Sequence, residues 1–269
     1  MKTKFAIVTG GTSGLGKAYA KYLAKCGWNL LITGRREKIL FQLKSDLEQK
    51  YHIEVQICIA DFNNEIQFND LLETIKNCSH VDLLVNNAGY GSREGFFEED
   101  YENQVNMLNV LVSAATKIVH EVVPKMLKAN KGSIINVASM SAFIPAPLNY
   151  FYCSSKAFMV SFTECLHIDF LHSNIMVQAL CPGFIHTEFH SKMGVENDKK
   201  GFKEKLLWMN PEAVVAYSIK SLSKSNVICI PGFVNKMVYN LMKMIPRTLS
   251  YRILNRQMPE HHHPEYCVV

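Results

Sequence analysis

The segment Thr9-Gly10-Gly11-Thr12-Ser13-Gly14-Leu15-Gly16 joins a short apolar run, Phe5-Ala6-Ile7-Val8, to a stretch with helical periodicity. Glycines permit a tight turn between a buried strand and a helix. Because they lack side chains, they also let a phosphate approach the backbone N–H groups at the helix N-terminus. The spacing Gly-x-x-x-Gly-x-Gly is a variant of the dinucleotide-binding fingerprint. It predicts a phosphate-binding strand–turn–helix unit at the beginning of the fold.

The same glycine turn has two alternative interpretations. Gly11 to Lys17 satisfies the P-loop pattern, but the next residue, Ala18, lacks the hydroxyl that a P-loop Ser or Thr offers to Mg²⁺. A phosphate-loop ATPase is therefore disfavoured, because the residue that would bind Mg²⁺ is missing. A purely structural glycine turn stays open on this segment alone, so the rest of the chain must decide.

Further strand-like runs alternate with helix-like stretches: 29–33, 55–59, 82–85, 133–137, 175–180 and 227–230. They are continuous in Val, Ile and Leu, which is typical of a parallel sheet covered on both faces. We therefore expect an α/β protein with a Rossmann-like, doubly wound fold. Residues 1–269 should form a single domain with a mostly seven-stranded parallel sheet and helices on both faces. A long helix is predicted over 101–129, with Pro124 kinking or trimming its end.

Composition excludes several classes of protein. The chain has 269 residues, 48% of them hydrophobic, and 29 Lys+Arg against 24 Asp+Glu give a net charge of +5. This excess is spread out, unlike the basic stripe of a nucleic-acid binder. No apolar run reaches the ~18 residues of a membrane-spanning helix. The eight cysteines form no Cys-x-x-Cys pair. We expect a cytoplasmic protein with reduced thiols, no metal centre and no nucleic-acid partner.

Two arginines follow the second predicted strand. In a dinucleotide site, an acidic residue at this position bonds the ribose 2′-OH of NAD. This chain has Arg35 and Arg36 there instead. Guanidinium groups pair bidentately with phosphate, so the position favours NADP(H), with its 2′-phosphate, over NAD(H). NAD(H) stays open, because two solvated arginines at the start of a helix would give the same sequence.

A serine, a tyrosine and a lysine form the candidate catalytic group. Ser139 follows the fifth strand, and Tyr152 and Lys156 are four residues apart on a predicted helix. Residues at i and i+4 share one helix face, whereas Tyr150 is turned roughly 120° away from Lys156. The carboxyl ends of the strands place these side chains beside the glycine loop.

This group suits proton transfer to a carbonyl oxygen. A phenol with an ordinary pKa near 10 is a poor acid or base at neutral pH. We expect the Lys156 ammonium to lower the pKa of Tyr152 toward the working range, while the Ser139 hydroxyl positions the substrate oxygen. A Tyr-x-x-x-Lys pair alone is common on surface helices, but its combination with the serine and the glycine loop is specific.

Together these pieces closely resemble the short-chain dehydrogenase/reductase family over about residues 4–190. The matching motifs are TGGTSGLG from Thr9, Asp61 after the third strand, NNAG from Asn86, Ser139, YCSSK from Tyr152, and Cys181-Pro182-Gly183 with Thr187. The resemblance implies a Tyr152 acid/base, a Lys156 that also holds the nicotinamide ribose, and further cofactor contacts. Those contacts are Asp61 and Phe62 at the adenine, Asn87, Ala88 and Gly89, Pro182 and Gly183, and Ile185 and Thr187 near the carboxamide.

The family also uses an asparagine of the long helix in its proton relay. By resemblance this is Asn109, although the interval from Asn109 to Pro124 is about two residues longer than in similar reductases. Asn106, one helical turn earlier, is the alternative, and a structural role for Asn109 also stays open. The stretch from Asn136 to Pro145 resembles a branch of ketoacyl and hydroxysteroid reductases, which implies a lipophilic carbonyl or alcohol substrate.

The last third of the chain carries two further expectations. By resemblance, about 186–210 forms a substrate-covering lid. The basic, apolar stretch of about 234–269 reads as an amphipathic extension that packs on its own core or a partner subunit, in preference to a peripheral membrane contact. We expect a homodimer or homotetramer. The main functional hypothesis is an oxidoreductase that interconverts a carbonyl and a secondary alcohol. A non-catalytic nucleotide-binding or scaffold protein is the alternative, and an epimerase or dehydratase is a third option.

Overall fold

A parallel sheet forms the centre of the protein in this computed structural model, which describes residues 3–92, 96–145, 148–188, 208–222 and 226–255. Within these ranges the strands are β1 Phe5–Thr9, β2 Asn29–Gly34, β3 Val55–Ile59, β4 Leu83–Asn86, β5 Gly132–Val137, β6 Ile175–Leu180, β7 Phe184–Ile185, β8 Trp208–Met209 and β9 Ile228–Cys229. Seven of them form one sheet in the order β3-β2-β1-β4-β5-β6-β9, and all neighbouring pairs are parallel. This confirms the predicted Rossmann-like fold.

Helices cover both faces of the sheet. They are α1 Gly14–Lys25, α2 Glu37–Tyr51, α3 Glu65–Asn77, α4 Tyr101–Leu108, α5 Ala115–Ala129, α6 Tyr150–Asp169, α7 Pro211–Leu222, α8 Phe233–Met244 and α9 Arg247–Asn255. Successive residues of β1 point to opposite faces. Ala6 and Val8 pack with α1, α2 and α7, and Ile7 packs with α3 and α5. Because helices cover both faces, the strands carry apolar side chains on both sides of the sheet.

The long helix expected over 101–129 has a different internal structure. A π-helical segment, Asn109–Ala114, separates α4 from α5. A π-helix winds more residues into each turn, which accommodates the long interval noted between Asn109 and Pro124. The prediction that Pro124 trims the helix end was wrong, because α5 continues through it to Ala129, and a kink at Pro124 stays a prediction. Pro124 and His120 are both exposed, so water can satisfy the carbonyl group that loses its helical partner.

The last third of the chain adds elements that the sequence did not predict. Strands β7 and β8 form a separate two-stranded parallel sheet. They flank 189–207, so most of the expected lid at 186–210 lies outside the described residues. The extension forms two helices, α8 and α9, separated at Pro246, and 256–269 also lie outside the described ranges. Among the described helices, none has the length and apolar character needed to cross a bilayer.

Candidate active site

The carboxyl ends of the strands surround a cavity of about 450 Å³, called the main cavity below. All the predicted site residues except Gly16 and Asn109 line it. They are Gly10, Thr12, Ser13, Gly14, Leu15, Arg35, Arg36, Asp61, Phe62, Asn87, Ala88, Gly89, Ser139, Tyr152, Lys156, Pro182, Gly183, Ile185 and Thr187. The fold therefore brings together residues that the sequence spreads over nearly 180 positions.

The glycine loop forms one wall of the main cavity. Gly10 has a φ of +67°, and a Cβ there would lie 2.9 Å from the Cα of Ala88. Gly16 lies behind the loop, where a Cβ would overlap the carbonyl of Gly10. The Ser13 side chain does not cap α1, and the first turn of α1 carries no acidic residue. The helix N-terminus is therefore open to an anion such as a pyrophosphate.

Hydrogen bonds fix the Asn87–Gly89 segment to the glycine loop. The Thr9 hydroxyl accepts from the backbone N–H groups of Asn87 and Ala88 at 2.8 and 2.9 Å. The Asn87 side chain donates to the Thr9 carbonyl at 2.9 Å. The two segments thus form one rigid wall, and a group bound against the loop also contacts the end of β4.

The two arginines occupy the far end of the main cavity and take different partners. The Arg36 guanidinium donates to the Thr12 hydroxyl at 3.2 Å and pairs with the Glu188 carboxylate at 2.9 Å. Arg35 pairs with Asp61 at 3.5 Å, and its guanidinium lies 6.0 Å from the centre of the Tyr90 ring. Both cations face the volume in which an adenosine 2′-phosphate is expected, so the residues fit the predicted NADP(H).

Ser139, Tyr152 and Lys156 meet at the opposite end of the main cavity. The Tyr152 hydroxyl is hydrogen-bonded to the Ser139 side chain. The Lys156 ammonium donates to the Val137 carbonyl at 2.8 Å and lies 5.5 Å from the centre of the Tyr152 ring. Tyr152 and Lys156 are both buried. Tyr150, by contrast, is exposed and packs against Phe96. The predicted distinction between the two tyrosines is therefore visible in the geometry.

Burial decides the charge states of this group. It raises the pKa of Tyr152 to about 12, although the hydrogen bond with Ser139 acts in the opposite direction. Burial also lowers the pKa of Lys156 to about 8. The pKa of Tyr152 therefore lies above its ordinary value in this structure, opposite in direction to the lowering expected from Lys156. At neutral pH Tyr152 is protonated and Lys156 is charged.

A buried amide network holds α6 in place. The Asn86 side chain donates to the Ala115 carbonyl at 2.9 Å and to Asn136 Oδ1 at 3.2 Å. Asn136 Nδ2 then donates to the Thr163 hydroxyl at 2.9 Å. The network connects β4, β5, the start of α5 and α6. It therefore fixes the helix that carries Tyr152 and Lys156 relative to the sheet.

Asn109 is the one predicted catalytic side chain that the structure does not bring to this group. Its amide donates to the Phe62 carbonyl and to Asn63 Oδ1, each at 2.9 Å. The side chain thus ties the π-helical segment to the loop after β3. Asn106 lies in α4, one turn earlier, and is partly buried. A proton relay through either residue stays a prediction, and the side-chain contacts of Asn109 agree with the structural alternative.

Sequence reasoning missed several residues of the main cavity. Tyr90, Val110, Val137 and Glu188 all line it. Tyr90 directly follows the NNAG motif and Glu188 directly follows Thr187, so each was one position beyond a residue already predicted. The role of Val137 is carried by its backbone carbonyl, and no side-chain pattern could have indicated it.

A dinucleotide-shaped cavity with a tyrosine and a lysine at one end is the site of a nicotinamide-dependent oxidoreductase. Comparison with known proteins agrees. The family model of the short chain dehydrogenases matches residues 4–198. The chain therefore belongs to the short-chain dehydrogenase family, which confirms both the resemblance and the predicted oxidoreductase class.

Three similar proteins place the chain within this family. It is 34% identical over 256 residues to the very-long-chain 3-oxoacyl-CoA reductase of Mus musculus, covering 93% of this chain and 78% of the relative. The L-sorbose reductase of Gluconobacter frateurii, solved with NADPH and L-sorbose, has a TM-score of 0.74 at 25% identity, with 86% and 96% covered. The inactive hydroxysteroid dehydrogenase-like protein 1 of Homo sapiens is 33% identical over 187 residues, covering 68% and 56%.

Proposed function

We propose that this protein uses NADP(H) to interconvert a lipophilic ketone and its secondary alcohol, and that the substrate is of the 3-oxoacyl or steroid kind. The observation that carries the proposal is the hydrogen bond between Tyr152 and Ser139, with the Lys156 ammonium buried on the same side of the main cavity. A non-catalytic scaffold has no use for this arrangement. One relative is itself named inactive, so catalysis must be measured directly.

Three side chains divide the proton chemistry. The hydroxyls of Ser139 and Tyr152 hold the carbonyl oxygen of the substrate, and Tyr152 then gives up its proton to that oxygen. The Lys156 ammonium stabilises the phenolate that remains. Because burial keeps Tyr152 protonated at neutral pH, the group is ready to donate, as reduction requires. When bound, the nicotinamide supplies the hydride.

Different parts of the cofactor bind to different residues along the main cavity. The N-terminus of α1 holds the pyrophosphate, and Arg35 and Arg36 hold the 2′-phosphate, which selects NADP(H) over NAD(H). Asp61 and Phe62 contact the adenine, while Ile185 and Thr187 contact the carboxamide. The relative from Gluconobacter frateurii contains NADPH, which supports the same choice here.

Apolar groups near Tyr152 support a lipophilic substrate. Tyr152 and Cys153 pack with Met107 and Leu111. Beyond them, the Phe96 ring stacks on Phe151 with 6.1 Å between the ring centres. The mouse relative is named for a very-long-chain 3-oxoacyl substrate. Phe96 is exposed and Phe151 is partly buried. A long acyl chain or a steroid would cover these two rings, whereas a small ketone would leave them in water.

We also propose a cytoplasmic homodimer or homotetramer. The seven described cysteines are all free thiols, as expected in a reducing compartment. The outer face of α6 carries mostly small or apolar residues, with Glu164 and, at the end of the helix, Asp169 as the acidic ones: Ser154, Ala157, Phe158, Ser161, Cys165 and Ile168. Such a face suits close packing against a second copy. Light scattering after size exclusion measures the assembly.

The experiment is a carbonyl panel with NADPH or NADH. It includes a small ketone, steroid ketones, and 3-oxoacyl thioesters of four and of twelve carbons, with heat-treated protein as the blank. We expect NADPH oxidation with the larger substrates and a kcat/KM that rises with chain length. NADPH binding without turnover of any substrate would support the scaffold instead. A preference for NADH would overturn the cofactor assignment alone.

A further inference from the structure

Helix α8 has an exposed apolar face, whereas the sequence predicted that this segment packs on its own core or on a partner subunit. Four large side chains at helical spacing, here called the apolar stripe, are 77%, 56%, 58% and 82% exposed: Phe233, Met237, Leu241 and Met244. The opposite face packs through Asn235, which is buried, and through Tyr239, whose ring centre lies 4.7 Å from that of Phe143. Clustered exposed side chains of this size indicate a contact surface.

The charges on α8 and α9 all have one sign. No Asp or Glu occurs between Glu212 and Glu260, so α8 and α9 contain none. Four exposed basic residues lie on these two helices: Lys236, Lys243, Arg247 and Arg252. An amphipathic helix with a basic polar face is typical of a segment that lies in the interface of an anionic bilayer.

A second copy of the chain fits this surface less well. In a two-fold contact each helix meets the same helix of its partner. The contact would bring together four cations from each side without any acidic residue on α8 or α9 to neutralise them. An anionic lipid surface offers both the apolar layer and the opposite charge.

Helix α8 adjoins the main cavity through its packed face. Asn235, in the first turn of α8, lies so close to Gly183 that a Cβ on this glycine would be 2.6 Å from Asn235 Oδ1. Gly183 lines the main cavity. Phe143, which packs on Tyr239, belongs to the segment that follows Ser139. The packed face of α8 therefore lies next to the main cavity, and the apolar stripe lies on the opposite face of the same helix.

We propose that α8 and α9 dock on an anionic phospholipid bilayer, with the apolar stripe inserted among the lipids and the four basic residues at the headgroups. Because the packed face of α8 contacts Gly183, docking keeps the main cavity near the bilayer, in which a lipophilic ketone dissolves. Only this last step rests on the proposed function, since the docking itself requires neither cofactor nor substrate.

The test is flotation of the full chain with phosphatidylcholine vesicles, with or without 30% phosphatidylserine, at low and at high salt. We expect binding that needs phosphatidylserine and is lost in high salt. Met237→Ser/Leu241→Ser should lower the partition coefficient at least tenfold, because two inserted side chains are removed. Arg247→Gln/Arg252→Gln should lower it roughly ten- to thirtyfold, given the attraction of each basic residue to an anionic surface.

Matched double variants act as controls. Phe41→Ser/Ile66→Ser removes two exposed apolar side chains from α2 and α3, and Lys21→Gln/Lys25→Gln removes two exposed charges from α1. Both should bind like the parent chain. Equal loss in the controls, equal binding to neutral vesicles, or no flotation would overturn the proposal. So would a dimer that Met237→Ser/Leu241→Ser dissociates in the absence of vesicles. Activity on a water-soluble ketone tests the proposed function separately.

Discussion

Two regions of the molecule differ in which side chains they bury. They are the substrate end of the main cavity and the C-terminal helices α8 and α9. Around Tyr152 and Lys156, ionisable groups are buried and each has a hydrogen-bond partner. On α8 the large apolar groups are exposed and the cations lie beside them. Each arrangement is unfavourable for the isolated chain, which indicates that both surfaces are completed by something bound: a cofactor and substrate in one case, a bilayer in the other.

The largest expected difference concerns lysines in the two regions. Lys156→Met should lower kcat/KM about a thousandfold, because the phenolate loses its stabilising charge. The exposed Lys243→Met should leave kcat/KM on a water-soluble ketone unchanged. Steady-state kinetics with NADPH checks both variants. Equal losses in the two would mean that the buried ammonium has no special role.

Removing the buried lysine should also change the free energy of unfolding, by an amount that depends on pH. Burial lowers the pKa of Lys156 to about 8, below its unfolded value, so its protonated form destabilises the folded state. Lys156→Met should therefore raise the free energy of unfolding by about 1–3 kcal/mol below pH 8. The gain should shrink as the pH rises and vanish above about pH 10.5, where the amine is neutral in both states. Denaturant titrations at pH 7 and 10 measure it, and a gain that is independent of pH would contradict the assignment.

Arginines give the next contrast. Arg36→Ala should raise the KM for NADPH roughly ten- to a hundredfold and leave the KM for NADH unchanged, because only NADPH carries the 2′-phosphate. Arg252→Ala, on α9, should alter neither value. Initial-rate measurements with both cofactors test this. A parallel rise for NADPH and NADH would show that Arg36 supports the fold of the loop and not the phosphate.

The pH profile of the reaction should report the buried lysine. In the reduction direction, kcat/KM should fall about tenfold per pH unit above pH 8, as Lys156 loses its charge in the free enzyme. Lys156→Arg should have lower activity, but its kcat/KM should not fall above pH 8, because its guanidinium stays protonated. If kcat/KM of Lys156→Arg also fell above pH 8, a group other than Lys156 would be titrating.

The smallest effect is expected at Glu188. Its carboxylate neutralises Arg36 at 2.9 Å across the mouth of the main cavity, and both side chains are partly exposed. Glu188→Gln should free Arg36 for the phosphate and lower the KM for NADPH two- to fivefold, which is the range of an exposed ion pair. The control is Glu37→Gln, on α2 near Arg36. An increase in KM would mean that Glu188 helps to bind the cofactor.

The sequence predicted the fold well because its signals are local. Strands covered on both faces are mostly apolar, as in Asn29–Gly34 and Ile175–Leu180, and the glycine loop shows where the first helix begins. The residues of the main cavity followed for the same reason. Most follow the carboxyl end of a strand, and parallel strands bring those ends to one edge, whereas Tyr152 and Lys156 lie on α6, four residues apart on one helix face.

What the sequence could not predict depends on neighbours that are distant along the chain. Asn109 begins the π-helical segment, and its side chain donates to the Phe62 carbonyl in the loop after β3. The pKa of Tyr152 follows from burial, which no spacing between Tyr152 and Lys156 reveals. The exposure of the apolar stripe also needed the three-dimensional structure, because a helical period shows that α8 has an apolar face but not whether the core covers it.

The central claim is that the Tyr152 hydroxyl delivers the proton to the substrate, and two matched variants test it most directly. Tyr152→Phe and Tyr150→Phe each remove one hydroxyl from the first turn of α6. We expect Tyr152→Phe to lower the single-turnover rate of NADPH-dependent ketone reduction at least a thousandfold with NADPH affinity nearly unchanged, and Tyr150→Phe to react like the parent chain. A Tyr152→Phe variant that reduces ketones at the parental rate would contradict the account.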